Sequence, residues 1–384
     1  MAFPDTIKVL HVTPSFYPAH VYGGPIDATY QLCRHLAKQG CETRVLTTNA
    51  NGRNEALQVP TDKEVLFAEG FTVRYCARRW RQSVSPMLMR LLWPYMSWAD
   101  VVHLFYVYSF PTFPTLLHSR WLHKPVVWSP LGALQRWQGS SRRGAKAAWD
   151  FLWYEGVDRS RLILQVSSGK EKDETLARFP KMRARVIPNG VEIPAVVEWA
   201  GRSEKLRLLF LGRLDPIKGI ENLLQACSRL SDFAWGLTIA GWGAPAYAAR
   251  LRERISALGL GGRVEMAGGV LAEAKRKLFE SCDVAVVPSY KESFGIVVAE
   301  ALAHGVPVIA GKGTPWSGLE REKCGLWVAN DPESLARAIR AIRVMPLQQM
   351  GARGRDWMQR DFSWPAISRQ MLDLYRAALT EGMG

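Results

Sequence analysis

The chain has 384 residues, a mass of 43.1 kDa and a net charge of +15, a size that suits two domains and excludes a small disulfide-stapled module. Apolar residues reach 48% and charged ones 22%, enough for packed cores and against a disordered or fibrous chain. Six cysteines without a CxxC pair and seven histidines without an HExxH pattern argue against structural zinc and a disulfide framework, and for free thiols in a reducing cytosol.

The first eight residues include Asp5 and Lys8 and lead straight into a strand pattern, so no secretory signal is expected. Residues 8–13 read as a strand. A loop with Gly23-Gly24-Pro25 follows, then a helix with apolar positions Ile26, Tyr30, Cys33 and Leu36, a stop at Gly40 and a strand at 43–48. Strand, helix, strand predicts a βαβ unit and a parallel sheet. More strands are expected at 101–106, 125–129 and 184–187. The apolar run 101–117, interrupted by Pro111 and Pro114, reads as buried strand and turn rather than a membrane span. After Pro188-Asn189-Gly190 a stretch with Pro194 and Gly201 lacks periodicity and reads as a linker.

The pattern then restarts. Strands are expected at 206–211, 236–240, 263–267, 284–288, 307–310 and 326–329, and helices include 219–230 and 246–258, the latter with Leu251, Ile255 and Leu258 on one stripe. Two doubly wound α/β domains follow, 1–190 and 205–365, expected to face a cleft. The segment 366–384 is a C-terminal helix free to pack on either domain or cross back to the first.

Open parallel sheets bind ligands at the carboxyl ends of their strands, and three strand-to-helix loops stand out. In the run 209–219, LFLGRLDPIKG, a strand ends at Gly212 and a helix opens after Gly219, with Arg213 and Lys218 beside it. Two cations at a helix N-terminus suit a diphosphate; alternatively Arg213 pairs with Asp215 and Lys218 is solvated. In the run 287–303, Glu292 lies in the loop after a strand, and Glu300 is the sole charge on a helix apolar nearly all round. A carboxylate so placed needs a strong donor, a sugar hydroxyl pair or a neighbouring Lys or Arg. Residues 293–296 leave amides for phosphate oxygens. Gly23 and Gly24 allow close backbone approach, although Gly-Gly-Pro also simply starts helices. The chain has neither GxGxxG at the first helix nor GxxxxGK[ST], which excludes a dinucleotide fingerprint and a Walker loop. It also lacks an Asp-x-Asp triplet, so a metal-independent site is the simpler expectation.

Between Glu69 and Asp150 lie eleven Lys or Arg against one acid, Asp100, together with seven of the fifteen Trp. Basic residues interleaved with aromatics fit an anionic membrane surface, single-stranded nucleic acid or an acidic substrate, or simply a solvated face over core tryptophans. Arg78, Arg79, Trp80, Arg81, Arg136, Trp137, Arg142 and Arg143 are the candidates for a membrane or acceptor face.

The runs "LGRLDPIKGIENLL", "IAGWG" and "ESFGIVVAEALAHGVPVIA", with Glu292 and Glu300, resemble the retaining glycosyltransferases of family 4, which have the GT-B fold. "WSPLGAL" at 128–134 and "GTPWSGLEREKCGLWV" at 313–328 look like a bacterial branch that builds surface polysaccharide and lipopolysaccharide. The resemblance implies that Arg213 and Lys218 neutralise the donor diphosphate, Glu300 binds the ribose and Glu292 contacts the donor sugar near its anomeric centre. It further implies backbone contacts from Phe294, Gly295 and Ile296, closure by Gly23 and Gly24 on the diphosphate, and Gly268 to Val270 near the base. Many members carry a His in the "WSPLGAL" loop where this chain has Leu131; His103 and His123 read as structural. The expected partners are a nucleotide diphosphate sugar, a glycan or lipid-linked acceptor and an anionic membrane, with no cofactor, nucleic acid or obligate protein partner. The expected place is cytoplasmic, at the inner face of the cell membrane. A nucleotide-sugar epimerase of the same fold and a basic nucleic-acid-binding protein are the alternatives.

Overall fold

The computed structural model describes residues 6–80, 83–135, 143–195 and 204–381. The chain divides into two units, Met1–Gly190 with Trp364–Gly384, and Val191–Ser363.

The first unit runs β1 (Lys8–Val12), α1 (Gly24–Lys38), β2 (Glu42–Thr48), a hairpin of β3 (Ala50–Asn51) and β4 (Glu55–Ala56), β5 (Glu64–Leu66), β6 (Thr72–Cys76), α2 (Pro86–Trp98), β7 (Val101–Phe105), α3 (Thr112–Trp121), β8 (Val126–Ser129), α4 (Arg143–Gly156), β9 (Leu162–Val166), α5 (Gly169–Arg178) and β10 (Arg183–Val186). Its eight-stranded sheet has the order β10-β9-β8-β7-β1-β2-β6-β5, parallel except for β5 against β6. Strands β7, β8 and β9 are buried throughout, which is why they show no polar alternation; each carries a single polar residue, His103, Ser129 and Gln165, and β9 was not among the expected strands. The run 101–117 differs from expectation. It ends in helix α3, with Pro111 capping and Pro114 in the first turn, where a missing N–H costs nothing.

The second unit runs β11 (Leu206–Leu211), α6 (Ile220–Cys227), β12 (Trp235–Ala240), α7 (Pro245–Ala257), β13 (Val264–Gly268), α8 (Ala272–Ser281), β14 (Val284–Val287), α9 (Ile296–Ala303), β15 (Val308–Gly311), α10 (Gly318–Arg321), β16 (Gly325–Val328), α11 (Pro332–Arg343) and α12 (Leu347–Trp357). Its sheet is wholly parallel, in the order β13-β12-β11-β14-β15-β16. Cores lie on both faces: α6, α7 and α11 cover one, α8 and α9 the other, and α12 contributes to both. The chain order reverses between β11 and β14, so the loops after these two strands lie side by side at the carboxyl edge.

The last helix, α13 (Trp364–Glu381), returns to the first unit. Trp364, Ile367, Met371, Leu374 and Tyr375 pack with Val9, Leu36, Val101 and Val127. Gly190 meets Trp364 so closely that an added Cβ would lie 2.4 Å from the indole. Gly190→Ala is therefore expected to destabilise the protein by about 1–3 kcal/mol, read as a lower urea midpoint at unchanged slope; an unshifted midpoint would refute the contact.

A buried polar chain ties α13 to the sheet. Gln165 Nε2 donates to the Ile187 carbonyl at 2.5 Å, and the Ser129 hydroxyl donates to Gln165 Oε1. Ser129 Oγ must then accept from His103 Nε2–H at 2.7 Å, which leaves Nδ1 to accept from the Tyr375 hydroxyl at 2.7 Å. His103 is thus structural and neutral, as its place in a strand suggests.

Candidate functional site

At the switch point of the second unit, Asp215 turns the loop after β11 by accepting from the Ile217 N–H at 3.1 Å. Gly219 closes it in the left-handed region (φ 68°), where a Cβ would sit 2.1 Å from the Pro288 carbonyl oxygen. Only glycine lets the two loops touch here. The contact is completed by the Tyr290 N–H on the Ile217 carbonyl at 2.9 Å. Lys218 is thereby brought to Glu292, and the ammonium and carboxylate form an ion pair. Glu292 Oε1 also accepts from the Ser289 hydroxyl at 3.0 Å. Arg213 is 69% exposed and meets Asp215 at only 3.8 Å, so its guanidinium remains largely presented to solvent. Lys218 is not solvated; its alternative partner is Glu292.

The second carboxylate, Glu300 on α9, pairs with Lys275 of α8 at 2.7 Å. The strong donor it requires is therefore a lysine in this state. Gly295 (φ 80°) opens α9, and the first amides of this helix have no partner within it. The Phe294 side chain is buried against Trp316 and Phe362, and its carbonyl accepts from Trp316 Nε1 at 2.5 Å, so any backbone contact it offers is through its N–H. Val270 packs on the core, whereas Gly268 (φ 75°) has open space where a Cβ would be.

The carboxyl rim carries further groups that motif reading did not single out. Trp242, half exposed, lies against Gly269, and Leu271 and Tyr290 are exposed in the loops after β13 and β14. Their signal was present as apolar residues in loops, with no period to bury them. Lys275 and Ser289 were missed because nothing in sequence spacing pairs them with Glu300 and Glu292.

In the first unit Gly23 (φ 78°) caps α1 and Gly24 is its first residue. The "WSPLGAL" loop has two successive left-handed residues, Leu131 (φ 54°) and Gly132 (φ 79°). It is clamped by a buried carboxylate: Glu171 Oε1 accepts the Gly132 N–H at 2.7 Å, and Oε2 accepts from Ser167 N–H and O–H at 2.9 and 2.6 Å.

The basic window separates into parts. Arg78 is a strut rather than a surface cation: its guanidinium donates to the carbonyls of Gly52 at 2.8 Å and Glu55 at 2.5 Å, bracing the β3–β4 hairpin. Arg79 and Trp80 are exposed. Arg81, Arg136, Trp137 and Arg142 lie outside the described residues, as does the side chain of Arg143. Trp128 is buried, while Trp93 and Trp121 are exposed and flank His118, with centroids 5.6 Å from it on either side. No helix among the described residues is long and apolar enough to cross a membrane.

Residues 22–193 match the family model Glycosyltransferase Family 4, and residues 197–357 match Glycosyl transferases group 1. The chain belongs to the glycosyltransferases. Sucrose-phosphate synthase from Thermosynechococcus elongatus superposes with a TM-score of 0.76 over 97% of this chain and 99% of that one, at 22% identity, and the two-domain architecture is that of the GT-B fold. An uncharacterized glycosyltransferase of Methanocaldococcus jannaschii is 29% identical over 262 residues, 62% of this chain and 65% of the relative. GDP-mannose:cellobiosyl-diphosphopolyprenol alpha-mannosyltransferase of Xanthomonas campestris is 27% identical over 392 residues, 97% of each chain. The chain therefore spans just under two thirds of the first relative and nearly all of the second.

Proposed function

We propose that this glycosyltransferase moves a hexose from a nucleotide diphosphate sugar to a lipid-linked or oligosaccharide acceptor in surface polysaccharide synthesis, with retention at the anomeric carbon and without a metal. The observation that carries the reading is the meeting of Lys218 and Glu292 at the β11/β14 switch point, with Arg213 exposed on the same loop. The leaving group is a nucleoside diphosphate, whose growing charge is what a site must stabilise. Arg213, Lys218 and the amides of α9 supply positive potential for it. Glu292 faces the sugar and Glu300 takes the ribose hydroxyls. The Xanthomonas relative, with its polyprenol-linked acceptor in its name, supports this acceptor class.

The test is to incubate the protein with UDP-glucose or GDP-mannose and lipid-linked acceptors, following nucleotide release and the anomeric configuration of the product by proton NMR. Transfer with retention that falls in Arg213→Ala and Lys218→Ala supports the reading. Equilibration of the donor sugar without transfer would make the chain an epimerase, and inversion would remove the retaining mechanism.

The same reading places the protein at the inner face of the cell membrane. Its support is the exposed Trp80, Trp93 and Trp121 with exposed Arg79, since Trp favours the interface and each basic residue near anionic lipid adds roughly 1 kcal/mol. The protein is expected to co-sediment with anionic but not neutral liposomes, to be released by salt, and to bind less after Trp93→Ala with Trp121→Ala. Replacing Arg78 alone should instead loosen the hairpin. Equal binding to neutral vesicles would refute the charge contribution.

A further inference from the structure

We propose that Ser289 is a positioning residue that decides which oxygen of Glu292 meets the donor sugar; the inference rests on the role given to Glu292 above. Ser289 is fully buried just after β14, and its hydroxyl donates to Glu292 Oε1 at 3.0 Å. Lys218 Nζ lies on that same oxygen. The Glu292 main-chain N–H is held by the Gly313 carbonyl at 3.2 Å. Backbone and one carboxylate oxygen are thus fixed, and Oε2 takes no hydrogen bond from any described residue. A carboxylate offers about four lone-pair sites across its two oxygens. Placing both donors on Oε1 turns a symmetric group into a directed one, with Oε2 left for the substrate.

The two donors on Oε1 are not equivalent once a donor sugar arrives. Lys218 carries the charge that attracts the diphosphate, so its ammonium is divided between two anions and its hold on Glu292 weakens. Ser289 is neutral and buried, and no phosphate competes for it. During the reaction the hydroxyl is therefore the group that keeps Glu292 in one rotamer. It acts through Glu292 and touches no substrate itself.

The experiment is a double-mutant cycle on the full chain with Ser289→Ala and Glu292→Gln. The readouts are steady-state nucleotide release from UDP-glucose and GDP-mannose with acceptor, UDP and GDP affinity by calorimetry, and the melting temperature. Ser289→Ala is expected to lower kcat by about 10- to 100-fold, the cost of a misplaced catalytic group, with nucleotide affinity and melting temperature unchanged. The double variant should be no slower than Glu292→Gln alone, because a positioner adds nothing once its client is lost. Ser289→Cys, of similar size with a weak donor, should recover part of the rate. An unchanged kcat in Ser289→Ala, losses that multiply in the double variant, or a joint fall of nucleotide affinity and melting temperature would each overturn the inference. A native protein inactive with every donor would overturn it together with the proposed function, which distinguishes the two failures.

Discussion

Replacing Lys218 by alanine is expected to weaken nucleoside diphosphate binding by about 1.5–3 kcal/mol, or about 10- to 150-fold. Two effects act in the same direction. The variant loses a charge-assisted hydrogen bond to phosphate, and it also leaves Glu292 without its cation, so the carboxylate now repels the incoming anion. Because the pair is mostly buried, with 19% and 15% of the two side chains exposed, water screens neither effect well. Arg213→Ala should cost less than Lys218→Ala, since a guanidinium 69% exposed competes with solvent and salt for the same phosphate. Adding Glu292→Gln to Lys218→Ala should restore part of the lost affinity by removing the repulsion. Calorimetry with UDP and GDP on the four proteins checks this, and equal affinity in native and Lys218→Ala protein would show that the diphosphate lies elsewhere.

Acid is expected to unfold the first unit through two histidines. His11 and His103 face each other across β1 and β7, with Phe105 stacked against both. Burial pushes the His11 pKa from 6.5 down to about 3, and burial together with the neighbouring His11 holds His103 well below 6.5. In the unfolded chain both imidazoles take up protons as the pH falls through about 6.5, whereas the native state resists. The stability they contribute is complete above that value and is lost as pH falls toward the native pKa values. The slope is about 1.4 kcal/mol per pH unit for each proton taken up only on unfolding. His35, lowered to about 4 by partial burial and then by Lys38 and Arg34, adds to the same trend. His11→Phe should flatten the slope by about one proton, because neither His11 nitrogen has a hydrogen-bond partner among the described residues and a phenyl ring loses nothing there. Urea midpoints at pH 7, 6 and 5 measure this; the same slope in native and His11→Phe protein would refute it.

The second unit was the more legible in sequence, and physics explains the difference. Residues 206–211 form β11 within the expected bounds, because a continuous apolar run between turn residues has few alternatives inside a parallel sheet. In the first unit β6 was overlooked: Arg74 interrupts its apolar pattern, yet it is buried in the fold. The tryptophans of the basic window looked alike as composition. Trp128 lies in a strand covered on both faces, while Trp93 and Trp121 sit on helices with one free side, so topology decides which of them water can reach. Arg213, Lys218 and Glu292 were visible as charges at strand-to-helix loops, and Glu300 as the sole charge on an apolar helix. Their pairing was not, because Lys218 and Glu292 meet only after the sheet reverses direction between β11 and β14. Local pattern names the participants, and strand order introduces them.

The path of the chain through its two units bears on how the protein is made. The second unit begins at Val191 and ends at Ser363, which bridge each other, and the Val191 N–H also reaches the Phe362 carbonyl at 2.8 Å. It can close its core as soon as residue 363 leaves the ribosome. The first unit, begun earlier, must wait for α13, since Trp364, Ile367, Met371, Leu374 and Tyr375 cover one face of its central strands. Through the translation of the whole intervening unit that apolar face lacks its cover, and exposed apolar surface of this kind is what makes incomplete chains prone to aggregate.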